Sequence, residues 1–107
     1  MSDRSVTPSE AHVRALWNGA VIADSSRTIM VEGNHYFPPD DVERDLLENS
    51  PEHTFCPWKG TASYYDLVVG GDRNPGAVWY YPEPMAEATA IKDYVAFWRG
   101  VEVAPAG

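Results

Sequence analysis

A chain of 107 residues has room for one core, and about two-thirds of its unfolded surface can be buried on folding. With 44% hydrophobic and 12% aromatic residues it belongs among globular rather than disordered chains. The formal net charge of −8 repels phosphate backbones and anionic lipid, which excludes nucleic acid and membrane surfaces as expected partners.

Residues 1–11 are polar and carry Ser, Thr and Pro, so they are expected to be a flexible N-terminus without the apolar run of a signal peptide. A single β-rich domain is expected over residues 12–103, with a short tail at 104–107. Val13, Ala15 and Trp17 alternate with polar or small residues, and Asn18-Gly19 then separates them from a second run at 20–24. Asn-Gly between two such runs predicts a two-residue hairpin, because both residues tolerate the positive φ of a type I′ turn. A third strand is expected over 28–32, broken at Gly33-Asn34 and continued at 35–37. After Pro38-Pro39, Asp40 has the position of an N-cap with Glu43 three residues on, and Val42, Leu46 and Leu47 share a face; this spacing predicts a short helix. Residues 53–60 read as extended, with Pro57 confining them to an edge, bulge or strand end. Strands are expected over 63–69 and 77–81, joined by a turn-rich loop at 70–76. A second short helix is expected over 85–93, and over 94–98 either a last strand or a continuation of that helix. The total is about seven short strands and two short helices: a mainly β domain with a minor α+β component and antiparallel sheets around one core.

The stretch with most chemistry is Cys56-Pro57-Trp58-Lys59-Gly60, followed by Tyr64-Tyr65. One cysteine excludes an internal disulfide and a four-thiolate zinc site, and a reducing compartment suits it. No apolar run approaches about 18 residues. The expected location is therefore cytoplasmic. Cys56 is either a buried small apolar residue or a catalytic nucleophile or redox thiol tuned by Lys59 or a histidine. Lys59, among aromatics, is either a strand-end lysine or a group that binds an anion or stacks on a ring. Trp58, Tyr64, Tyr65, Trp79, Tyr80 and Tyr81 serve as core and cross-strand packing, or as the wall of a small-molecule pocket. Glu32 and His35 join the ligand-binding candidates. Glu32, His35, His53 and Cys56 match no metal-ligand spacing, so neither a metal nor a cofactor is expected.

Cys-Pro-Trp-Lys-Gly-x-x-x-Tyr-Tyr at 56–65 and Trp-x-Tyr-Pro-x-Pro at 79–84, with Glu32 and Tyr-Phe-Pro at 36–38 upstream, resemble the domain-of-unknown-function family 427, which also carries a nucleotidyltransferase-like label. The resemblance covers about residues 13–103. It implies two antiparallel sheets leaning together in a β-tent, similar to the Mss-four-type exchange factors, the thalidomide-binding domain and the type B methionine sulfoxide reductases. Those folds share a concave face that takes a small ligand between aromatic walls, and often a zinc held by paired Cys-x-x-Cys motifs, which one cysteine cannot supply. Nucleotidyl transfer usually needs Mg²⁺ on converging carboxylates beside a phosphate loop. This sequence carries neither part.

These residues leave three functional readings: a small-molecule binding domain centred on the 56–60 motif, a Cys56-dependent enzyme, and a structural or interaction module with no ligand. The oligomeric state is not readable from the sequence.

Overall fold

The computed structural model describes residues 4–106. The chain is mainly β, as the alternating runs and paired turn residues dictate. Its strands form three antiparallel sheets where the sequence suggested two. In chain order they are β1 (Val6–Ser9), β2 (Val13–Trp17), β3 (Ala20–Ser25), β4 (Thr28–Val31), β5 (Asn34–Tyr36), β6 (Leu47–Cys56), β7 (Gly60–Val69), β8 (Asp72–Tyr80), β9 (Val95–Phe97) and β10 (Glu102–Pro105). One sheet runs β1-β4-β5, the second β10-β2-β3, and the third is the meander β6-β7-β8-β9.

Two-residue turns do much of the local work. Asn18 and Gly19 sit at φ 51° and 78°, as a type I′ hairpin requires. Gly70 and Gly71 do the same at 61° and 86°, so the loop expected over 70–76 shrinks to those two residues and β8 starts at Asp72. Between β4 and β5 the turn is Glu32-Gly33 rather than Gly33-Asn34, and Glu32 adopts φ 53°, an uncommon conformation for its type.

Both expected helices are absent as α-helices. Pro39–Asp41 and Arg44–Leu46 are separate 3₁₀ turns, and Asp40 caps neither. The reason is a competing ladder: Val42 bridges to Ala23, and the Glu43 amide donates to the Ile22 carbonyl, which pulls the chain straight between the two turns. Asp41 instead accepts from Ser25 Oγ at 2.7 Å and pairs with Arg27. The second expected helix is the 3₁₀ segment Ala86–Ile91, which buries Ala88 and Ile91. The chain ends are also more ordered than their composition suggests. Val6–Ser9, within the stretch expected to be flexible, pairs with β4, and Glu102–Pro105, which runs on into the expected tail, pairs with β2. Residues 1–3 and 107 of those stretches lie outside the described residues.

The meander is covered on both faces. One face packs Leu67, Val78, Val95 and Phe97 against Val13, Ala15 and Ile22 of the second sheet. The other packs Ala62, Tyr64 and Ala96 against Ile29, Val31 and Tyr36 of the first sheet and Ile91 of the 3₁₀ segment. Phe37 joins the two layers at the edge: its amide and carbonyl both bond Val95, at 2.7 and 2.9 Å. No helix among the described residues is long and apolar enough to cross a membrane.

Candidate functional site

The Cys56–Gly60 motif is a turn, not an extended segment. Cys56 ends β6 and pairs with Gly60, which starts β7, so Pro57, Trp58 and Lys59 form the connection and Pro57 is spared a ladder position. Segment 83–85 crosses directly over this turn. The Met85 amide donates to the Lys59 carbonyl at 3.0 Å, and a Cβ at position 60 would lie 3.2 Å from the Glu83 carbonyl oxygen. Gly60 also has φ 114°, so only glycine fits without strain.

The turn sends Lys59 inward; it is 7% exposed. Its ammonium pairs with the Glu32 carboxylate at the tip of the β4–β5 hairpin. It also lies 5.6 Å from the centroid of the Trp58 ring and 5.5 Å from that of Tyr81. Burial works against the charge, but the hydrogen bond to Glu32 and the nearby phenols of Tyr36 and Tyr81 outweigh it and raise the Lys59 pKa. Lys59 is therefore a cation at every physiological pH. The Tyr81 phenol is pushed up to about 12, chiefly by burial.

A wall of rings extends from this ammonium. Tyr36, fully buried, accepts a hydrogen bond from Trp79 Nε1 at 2.9 Å. Trp79 and Trp98 meet edge to face at 5.8 Å, and Tyr64 lies 6.4 Å from Trp98. Tyr64 is held by Thr54 Oγ1 at 2.8 Å, and Trp98 Nε1 donates to the Gly76 carbonyl at 2.7 Å. Lys59, Tyr64, Trp79, Tyr81 and Trp98 line a hollow of about 190 Å³. Trp98 is 42% exposed, and the Arg99 guanidinium lies 4.3 Å from its ring centroid.

Of the residues singled out in the sequence, the fold brings together Glu32, Trp58, Lys59, Tyr64 and Trp79 around this cluster. Cys56 is half-buried and packs at its margin. Tyr65 is elsewhere: strand alternation sends it to the opposite face, where it stacks on Tyr80 at 4.5 Å. His35 bonds Thr28 Oγ1 at 2.7 Å, and burial lowers its pKa. His53 contacts Ser63 instead. Sequence reading missed Tyr36 and Trp98. Trp98 had a readable signal, since it lies two residues beyond Ala96, the register partner of Trp79, and so falls on the same face. Among the described residues, no group of three or more His, Cys, Asp or Glu side chains converges as a metal site.

No curated protein matches the chain. Residues 5–105 match the family described as a domain of unknown function, DUF427, labelled as a nucleotidyltransferase type, and because the match takes in nearly every residue the protein belongs to that family.

Proposed function

We propose that the protein binds a small molecule beside the Cys56–Gly60 turn, with Lys59 as the polar anchor and Tyr64, Trp79 and Trp98 as the ring wall. The observation that carries this reading is the buried ammonium of Lys59 facing an aromatic hollow. A buried ion pair is a weak source of stability, and apolar side chains of similar volume often stabilise as well or better. Packing alone therefore does not account for a lysine here. A few polar groups in an aromatic surround are how small-molecule sites are usually built. The ligand that suits it is flat, to lie against the indoles, and bears an acceptor group for Lys59 Nζ. Glu32 already neutralises the ammonium, so a neutral acceptor is favoured over a second carboxylate.

The nucleotidyl-transfer chemistry of the family label has no support in the side chains. Asp41, one of the two adjacent carboxylates, is committed to Ser25 and Arg27.

A thermal-shift screen of metabolites, read alongside tryptophan fluorescence, tests the proposal. A ligand at a hundredfold excess over its Kd stabilises by about 2.7 kcal/mol. That gain should vanish in Lys59→Met and Trp98→Ala, and persist in a distant surface variant such as Arg14→Ala. A compound whose stabilisation survives both site variants would refute the placement. A purely structural motif would lower stability in those variants with no ligand-dependent shift.

A further inference from the structure

The opposite face of β7 and β8 carries a second hollow, of about 250 Å³. We propose that it is a separate binding site for a small aromatic molecule bearing both an anionic group and an ammonium or amide donor. It is lined by Tyr65 and Tyr80, which stack on each other with ring planes 13° apart. Its walls are the side chains of Val42, Leu47 and Val95, and its charged residues are Arg44 and Asp93.

The charges make the case. Among the described residues every other arginine holds a carboxylate: Arg4 with Glu87, Arg14 with Asp24, Arg27 with Asp41, Arg73 with Glu48 and Asp66, and Arg99 with Glu52. Arg44 has no salt-bridge partner among the described residues, in a sequence with sixteen acidic residues and eight basic ones. It lies close enough to Tyr65 to act on the phenol, and Asp93 acts on the same phenol with the opposite sign. Asp93 has no salt-bridge partner among the described residues either, and its backbone is fixed at φ 63°, with its amide donating to the Tyr81 carbonyl at 3.1 Å. The hollow therefore presents a guanidinium and a carboxylate without salt-bridge partners among the described residues, beside a stacked aromatic pair. A guanidinium grips a carboxylate through two parallel hydrogen bonds, and a carboxylate takes N–H donors. At about 30 Å³ per water the space equals about eight waters, which fits one aromatic ring with a short polar arm. The Tyr65 phenol, pushed up to about 12 by burial and by Tyr80, remains a neutral hydroxyl donor at neutral pH.

The test uses the full chain, labelled with ¹⁵N and titrated with L-phenylalanine, benzoate and benzylamine. Phenylalanine should give saturable shifts at the amides of residues 44, 65, 80 and 93. It should bind more tightly than either single-charge probe, and Arg44→Met should weaken it roughly tenfold or more, as loss of a charge-assisted pair predicts. Arg44 is exposed, so Arg44→Met should fold normally, which its unfolding midpoint will show. Lys59→Met, at the other hollow, should leave the titration unchanged. Three results would overturn the proposal: no shifts at those four amides from any probe at about 10 mM, far above a useful Kd; shifts at Lys59 and Trp98 instead; or shifts that Arg44→Met does not weaken.

Discussion

At the scale of single residues, the aromatic cluster depends on hydroxyl and indole groups that bond one another. Tyr36 is fully buried, and its phenol accepts from Trp79 Nε1. Trp79→Phe removes that donor and leaves the phenol with one partner fewer in a dry surround. The expected cost is about 1–3 kcal/mol, measured by urea unfolding against the wild type. Tyr36→Phe in the same background should recover part of the loss, because it removes the stranded hydroxyl as well. Glu32 shows a related compromise. An αL conformation costs a non-glycine residue about 1–2 kcal/mol. Here that conformation sets the carboxylate against Lys59.

At the scale of elements, turn chemistry was legible where the chain marked it with residues that tolerate positive φ. Asn18-Gly19 sits in the tight hairpin expected of it, whereas Gly70-Gly71 alone make the turn where a loop over 70–76 was expected. The expected helix after Pro39 was not legible as what it is. Its capping pattern is local, and the bond from the Glu43 amide to the Ile22 carbonyl that defeats it comes from a strand twenty residues earlier in the chain. The 56–60 motif was misread as extended, since Pro57 fits a turn as well as a strand end. Its geometry gives a sharp prediction. Gly60→Ala forces a Cβ against the Glu83 carbonyl in a left-handed conformation. It should destabilise by about 1–3 kcal/mol and shift the Met85 amide resonance, whose bond to Lys59 it displaces. A variant as stable as the parent would show that segment 83–85 does not hold the turn.

For the whole molecule, buried phenols set the alkaline limit of stability. Tyr65 and Tyr81 both hold their protons to about 12, burial being the largest cause in each, whereas in the unfolded chain they ionise near 10. Between those values the unfolded state binds fewer protons, so stability is complete below about pH 10 and declines as pH rises through about 12. Lys59 adds in the same direction, because its pKa is also raised. Urea midpoints should fall between pH about 9 and pH about 11, and Tyr81→Phe should flatten the decline. The overall β architecture followed from alternation and turns, but which sheet each face met did not, because Phe37 and Val95 make the joint between layers across a separation of nearly sixty positions. β7 serves both layers. Tyr64 and Tyr65 are neighbours in sequence, yet one serves the Lys59 cluster and the other the Arg44 hollow. A single-codon insertion or deletion between positions 60 and 64 would turn the strand inside out, delivering each tyrosine to the wrong side at once. One strand thus serves both hollows, and a change in its length disturbs the two together.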